Sequence, residues 1–248
     1  MSERTIRLRV FRHRSRDPGP RYDEFEVPVR PGGTVLDALL HVRRHHDPGL
    51  ALRHSCLHAS CGTCGVRVDG REVLACVTGT DELGDRVVVE PLAGAPVVAD
   101  LVVDMGDFYE RLEATGRPLV RAAHDGAAGG DADDGDGAAR LDGLVRFEDC
   151  IECGLCVSAC PVVGGDPRYQ GPAALTAAWR VASEPRGSDP AAALALADDG
   201  QGAWRCHLAF ECSEVCPAGV DPVGAIMALR RRLLRDRLAR PLAGRRRR

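Results

Sequence analysis

Residues 5–11, TIRLRVF, and 22–29, YDEFEVPV, alternate apolar and polar side chains at period two, the signature of strands with one buried face. The Pro- and Gly-containing HRSRDPGPR between them reads as a turn, so the two strands predict a hairpin. In TVLDALLHVRRHH, Thr34 is a suitable N-cap, and Val35, Leu36, Leu39, Leu40 and Val42 recur at helical spacing. One amphipathic helix should therefore pack on the sheet. Short strands follow at GVRVDG and DRVVVEP.

Strand, strand, helix, cysteine loop, strand, strand describes a small mixed domain ending near Met105. Beyond it, LVVDMGDFYERLEA (101–114) predicts a helix joining the two halves. RAAHDGAAGGDADDGDGAAR then reads as an acidic, flexible insertion at 121–140, too poor in apolar side chains to order itself. From Leu141 onward the predicted elements are helical. GPAALTAAWRVA carries Pro172 in its first turn, Ser188 or Asp189 precedes Pro190 and AAALALA, and Asp221 with Pro222 opens VGAIMALRRRLLRDRLA. The chain is thus expected to be α+β, with residues 1–105 mixed and 106–248 all-helical.

The length of 248 residues suits two modest domains. All 33 basic residues are arginines, the net charge is −3, and the tail ends in four arginines. That tail reads as a solvated end, and no nucleic-acid partner is expected. No apolar run approaches the eighteen or so residues of a membrane span, and the first residues lack a secretory core, so a reducing, cytosolic setting is expected for the thiols.

Those thiols carry the chemistry. Of eleven cysteines, four lie between Cys56 and Cys76 and seven between Cys150 and Cys216. Cys56, Cys61, Cys64 and Cys76 are spaced C-x4-C-x2-C-x11-C, the plant-type 2Fe-2S pattern with a distant fourth ligand. Ala59, Ser60, Gly62, Thr63 and Gly65 leave room for the loop to wrap a cluster. A four-cysteine zinc site usually has two C-x2-C hairpins, whereas this segment has one. His45, His46, His54 and His58 lie nearby, but four cysteines already satisfy two irons.

Cys150, Cys153, Cys156 and Cys160, followed by Pro161, form C-x2-C-x2-C-x3-C-P, a run whose fourth cysteine serves the other cluster when two are present. CHLAFECSEVCP (206–217) repeats CIECGLCVSACP (150–161), with Ala209 where the first copy has Cys153. Exchange of the last cysteines assigns Cys150, Cys153, Cys156 and Cys216 to a 4Fe-4S cluster. It leaves Cys160, Cys206 and Cys212 for the second site. Three thiolates suit a 3Fe-4S cluster, and the alternative is a 4Fe-4S cluster whose open iron takes water or substrate. No Ser/His/Asp set, phosphate loop or carboxylate pair accompanies the clusters, so no catalytic residue is assigned.

RHSCLHASCGTCGVRVDGREVLAC, DLVVDMGDFYERL, LDGLVRFEDCIECGLCVSACP, YQGPAALTAAWR and WRCHLAFECSEVCPAGVDP occur in this order. Over nearly its whole length the chain resembles the iron-sulfur subunits of succinate dehydrogenase and fumarate reductase. That resemblance implies a beta-grasp, plant-ferredoxin-like first domain and a bacterial-ferredoxin-like second domain. It implies an FAD-containing flavoprotein subunit and a membrane anchor as partners, at the cytoplasmic side of the cell membrane. Electrons from succinate would pass the 2Fe-2S, 4Fe-4S and 3Fe-4S clusters to quinone. His207 matches a family histidine near quinone, and Arg205 falls where a basic residue is common.

The chain departs from the family in reading Val163 and Gly164 where many members have adjacent tryptophans, and in having Ala59 for a common glycine. Trp179 and Trp204 are read as packing. The competing readings are a three-cluster subunit of another flavoprotein or disulfide reductase, and a zinc-stapled interaction module.

Overall fold

The computed structural model describes residues 4–14, 17–116, 149–184 and 189–239. Strand β1 (Arg4–Arg12) turns Ile6, Leu8 and Val10 inward and Arg7 and Arg9 outward. It pairs antiparallel with β2 (Arg21–Val29), from Arg4 opposite Val29 to Arg12 opposite Arg21. With β3 (Gly65–Val68), β4 (Arg71–Leu74) and β5 (Arg86–Glu90) they form a sheet in the order β2-β1-β5-β3-β4. Only the central β1–β5 pair is parallel.

Helix α1 (Val35–His45) buries Val35, Leu36, Ala38, Leu39 and Val42 on this sheet. Each fully buried aliphatic side chain contributes about 1.5–3 kcal/mol. The Thr34 hydroxyl accepts from the Asp37 amide, and the Asp37 carboxylate accepts from the Thr34 amide, a reciprocal capping box. The next amides donate outward, Val35 N to Thr78 O and Leu36 N to Ala75 O, both at 2.9 Å. The start of the helix thus anchors the segment that carries Cys76.

The helix expected over 101–114 begins only at Gly106. Val102–Val103 instead form β7, antiparallel to β6 (Val97–Ala99). Two adjacent β-branched residues favour the extended form. Asp100 turns the chain at φ 47° and is held by Arg12 Nε at 3.1 Å. The Asp104 carboxylate accepts from Gly106 N at 2.9 Å where helix α2 (Gly106–Ala114) starts. Strand β4 had no period-two signal of useful length.

Among the described residues the second half contains only helices and turns. They are α3 (Leu155–Ser158), α4 (Pro161–Gly165), α5 (Gly171–Ala182), α6 (Ala191–Asp198), α7 (Glu211–Glu214) and α8 (Pro222–Ala239). Leu175, Ala178, Val181, Ala193, Ala197, Ile226, Leu229 and Leu233 pack α5, α6 and α8 around one core. The Asp189 and Asp221 carboxylates accept from the amides of Ala191 and Gly224, as their places before helices predict. Ser188, the acidic insertion and the arginine tail lie outside the described residues.

The two halves interlock. Leu155 of α3 is buried in the sheet domain's core, and Ile151, Cys153 and Val215 pack against it. The Arg111 guanidinium of α2 donates to the carbonyls of Pro167 and Tyr169 at 2.7 and 2.8 Å.

Candidate metal centres

The first cysteine loop owes its shape to alternating left-handed residues. Leu57, Ala59 and Gly62 have φ of 65°, 61° and 69°. Such alternation turns successive backbone N–H groups toward one side, a concavity suited to anions. The amides of His58 and Ser60 donate to Cys56 Sγ at 3.5 and 3.3 Å, and that of Ala59 donates to Cys76 Sγ at 3.4 Å. Cys61 Sγ lies 3.2 Å from Thr63 Oγ1. The His58 amide first, then the Cys61 thiol and the amides of Ser60 and Cys61, bring the Cys56 thiol down to about 7 against the opposing effect of burial. Burial pushes Cys64 up to about 11. The position of Ala59 also shows why glycine would be at ease there, since a left-handed φ strains any residue with a Cβ.

The histidines near this loop have other contacts. His54 Nε2 meets an Arg43 amino group at 2.9 Å, the His58 ring approaches Cys56 O, and the rings of His45 and His46 lie by His41 at the end of α1.

The two twelve-residue copies share a backbone shape. Glu152 and Gly154 are left-handed in the first, at φ 53° and 79°, and Leu208 and Phe210 in the second, at 58° and 66°. Each copy then makes a one-turn helix, α3 or α7, and ends at a cysteine followed by proline.

The cysteines assort across the copies. Cys150, Cys153, Cys156 and Cys216 line one recess, with Phe108, Ile151 and Ala173 among its other walls. Cys160, Cys206 and Cys212 line another, where Ala209 occupies the position equivalent to Cys153. Burial pushes Cys153 up to about 11, and the nearby Cys150 and Cys216 add to it. Burial likewise pushes Cys212 up to about 12, reinforced by Cys160 and Cys206. Thiols so placed ionise only when a bound cation compensates for lost water.

Among the described residues, no three histidine, cysteine or acidic side chains close on one ion-sized point. Thiolates on a polynuclear cluster stand wider apart, each on its own iron, and the donor set is all sulfur. The recesses therefore fit clusters.

His207 is exposed on the wall of the recess of Cys160, Cys206 and Cys212, the third recess counting the concavity of the first cysteine loop, and Arg205 beside it pairs with Asp166 at 2.8 Å. Val163 is buried and Gly164 exposed in α4, so the position of the missing tryptophans presents no large aromatic side chain. Trp204 Nε1 donates to Asp198 Oδ1 at 2.8 Å, a packing role. Trp179 packs on the helical core. Residues that spacing did not single out include Tyr169, 1% exposed against the third recess, and the Glu72–Ser158 pair between the domains. Tyr169 lies in the segment YQGP but carried no distinguishing pattern.

Comparison with known proteins matches these centres. A family described as a 2Fe-2S iron-sulfur cluster binding domain matches residues 7–110, and a 4Fe-4S dicluster domain matches residues 146–220. A ferredoxin-type sheet domain joined to a helical dicluster domain defines a multi-cluster electron-transfer protein. The fumarate reductase iron-sulfur subunit of Mycobacterium tuberculosis is 40% identical over 231 residues, covering 91% of each chain. The succinate dehydrogenase iron-sulfur subunit of Coxiella burnetii is 34% identical, over 89% of this chain and 93% of that one. The solved Mycobacterium smegmatis Sdh1 complex in the apo form contains a chain that superposes with a TM-score of 0.82 at 27% identity. The match covers 97% of this chain and 100% of that one. The chain belongs to the family of succinate dehydrogenase and fumarate reductase iron-sulfur subunits, and its role is electron transfer in a succinate:quinone oxidoreductase.

Proposed function

We propose that this subunit relays single electrons between an FAD-containing flavoprotein subunit and membrane quinone through three clusters of different type. Bound 2Fe-2S, 4Fe-4S and 3Fe-4S groups would supply one-electron carriers in that order, and the chain itself breaks no substrate bond. Cys56, Cys61, Cys64 and Cys76 would hold the first, Cys150, Cys153, Cys156 and Cys216 the second, and Cys160, Cys206 and Cys212 the third. The reading keeps the division of the chain near Met105.

The observation that carries this assignment is the crossed grouping of the last cysteines, with Cys216 in the recess of the first copy and Cys160 in that of the second. Ala209 supports three rather than four thiolates at the third site, against the four-iron description of the matched dicluster domain. A cluster of that type should have the higher potential of the two, because potential follows cluster type and charge.

Position supports the proposed partners. Leu57 and Val77, both more than half exposed, flank the first cysteine loop, where the flavoprotein would dock. Exposed Phe210 and His207 flank the third recess, where a membrane anchor and quinone would meet it. Among the described residues no helix is long and apolar enough to cross a membrane. Attachment at the cytoplasmic side would therefore run through the anchor.

Electron paramagnetic resonance of the intact complex, as isolated and after reduction, tests the cluster assignment. An oxidised 3Fe-4S cluster is paramagnetic and an oxidised 4Fe-4S cluster is silent. Copurification of a flavin-bearing subunit with succinate-driven quinone reduction supports the proposed partners. A colourless, zinc-containing protein without acid-labile sulfide, prepared anaerobically, would overturn the redox reading.

A further inference from the structure

Residues 231, 234, 235 and 238 of α8 fall at i, i+3, i+4 and i+7, so Arg231, Leu234, Arg235 and Leu238 share one face of the helix. All four are exposed, Leu238 by 84%. Ile226, Leu229 and Leu233 take the opposite face and pack into the helical core. Of the large apolar side chains exposed among the described residues, Leu234 and Leu238 are the only two that lie one helical turn apart.

The arginines between those leucines are uncommitted. Arg232 pairs with Asp236 at 3.1 Å and Arg237 with Asp198 at 2.6 Å, whereas neither Arg231 nor Arg235 meets a carboxylate among the described residues. Beyond Ala239 the sequence continues RPLAGRRRR, five more arginines and no acid. Residues 230–248 thus hold ten arginines against one aspartate, in a chain whose net charge is −3. Charge so concentrated at one end attracts an anionic surface that the rest of the chain would repel.

Arginines alone would suit any polyanion. Two leucines beside them suit an interface that offers phosphate groups over hydrocarbon, where guanidinium heads stay in the polar layer and leucines enter the apolar one. Position agrees with this occupant. Val223 and Ile226, early on α8, line the third recess, and Leu234 and Leu238 follow Ile226 by about 12–18 Å at 1.5 Å per residue. The stripe and the recess thus fall within the span of one membrane surface.

We propose that Arg231, Leu234, Arg235 and Leu238 form a lipid-contact stripe: the two guanidinium groups pair with anionic phospholipid headgroups, and the two leucines insert among them. The inference rests on the proposed attachment of the subunit at a membrane, but on no cluster type and no quinone site. Such a contact holds the helical domain against the bilayer beside its protein anchor, a second attachment that needs no membrane-spanning helix.

The test is cosedimentation of the full chain, its iron content and melting temperature verified, with vesicles of phosphatidylcholine alone or mixed with phosphatidylglycerol. The chain should bind the anionic vesicles, leave them at high salt and ignore the zwitterionic ones. Arg231→Gln with Arg235→Gln should weaken binding on the order of thirtyfold, and Leu234→Gln with Leu238→Gln on the order of tenfold. Arg71→Gln with Arg86→Gln removes the same charge from exposed positions of the sheet domain and should leave binding unchanged. A chain ending at Ala239 should still bind, more weakly, and should lose that remainder with Arg231→Gln and Arg235→Gln.

Binding that survives both stripe variants and vanishes on truncation would place the contact in the tail and overturn the inference. Equal binding to both kinds of vesicle, or to neither, would overturn it too. If the arginine variants detach the flavoprotein or the anchor from the intact complex and leave vesicle binding unaffected, the face meets an acidic protein and the proposal falls. Absence of a copurifying anchor would refute the proposed attachment instead, and vesicle binding by the chain alone is read independently of that result.

Discussion

Gly62, in the first cysteine loop, abuts Cys153 of the helical domain so closely that a Cβ on the glycine would lie 2.8 Å from the cysteine's own Cβ. The same added carbon would lie 2.8 Å from Ile151 O, and Gly62 is left-handed at φ 69°. Nearby, a Cβ on Gly65 would meet Leu155 at 3.0 Å. Small residues at these two positions let the loop of the proposed first cluster rest on a proposed ligand of the second. A short path through bonded and touching atoms follows from that contact.

Gly62→Ala should therefore act twice. Backbone strain and overpacking each cost about 1–3 kcal/mol, and relief of the clash requires the domains to part. The variant should melt earlier and reduce its second and third clusters more slowly, with all midpoints unchanged. Gly70→Ala is the control. Gly70 is also left-handed, at φ 83°, but nothing lies within 4 Å of its added carbon, so only the conformational cost should appear. Equal melting and equal transfer rates in the two variants would show that the Gly62 contact does not matter.

A hydrogen-bond relay reinforces the same interface. Ser158 Oγ, between Cys156 and Cys160, donates to Glu72 Oε1 of β4 at 2.9 Å and accepts from Ala93 N at 2.8 Å. Glu72 is 9% exposed, and its cationic neighbour, Arg67, stands 3.5 Å away. Ser158→Ala leaves a mostly buried carboxylate oxygen and an amide without this partner, at a cost of about 1–3 kcal/mol. Glu72→Gln should cost less alone, because the amide oxygen still accepts from Ser158. In a double-mutant cycle by thermal unfolding the two effects should be non-additive, and full additivity would deny the coupling.

Much of this arrangement was legible in the sequence because cluster ligation requires cysteines at short fixed spacings. The first hairpin, α1 and its Thr34 cap were equally plain, since Ile6, Leu8 and Val10 or Val35, Leu39 and Val42 repeat at the period of their element. The contacts that join the halves left no comparable mark. Glu72 and Ser158 are 86 positions apart, and neither has an unusual neighbour in the chain. The segment Leu101–Asp104 misled the helical reading because its apolar residues fit a helix by spacing. The buried Arg12–Asp100 pair instead turns the chain just before it.

That buried arginine also predicts a pH response. Arg12, 4% exposed, meets Asp100 at 3.1 Å, Asp47 at 2.6 Å and Asp23 at 3.1 Å. The bond from Arg12, helped by the Gly49 amide, holds the Asp47 carboxyl below the usual carboxylate range. A depressed folded value contributes stability that is present above the unfolded value, near 3.8, and is lost as pH falls through the folded one. Asp47 is about a third exposed, so screening limits the contribution to about 1 kcal/mol. Asp47→Asn should therefore melt a few degrees earlier at pH 6–7, on the order of 2–4 °C. The gap should narrow below about pH 4. Comparing both proteins with the same clusters cancels acid damage to the iron, and a gap that widens with acid would contradict the sign.

Ala209 offers the sharpest test of the proposed third site. It is exposed on the wall of the recess formed by Cys160, Cys206 and Cys212, and the equivalent residue of the first copy is Cys153. The left-handed residues around it, Leu208 and Phe210, reproduce those around Cys153, so a cysteine there would start from a backbone already shaped to present sulfur. Ala209→Cys should supply the fourth thiolate and allow a 4Fe-4S cluster to assemble. The oxidised resonance expected of three irons should then disappear, a signal should appear on reduction, and the midpoint should fall with the added thiolate charge. Electron delivery to quinone should slow while oxidation of succinate with an artificial acceptor at the flavin continues. Retention of the original resonance and quinone turnover, with the new cysteine verified and its thiol free, would mean that position 209 does not face a cluster.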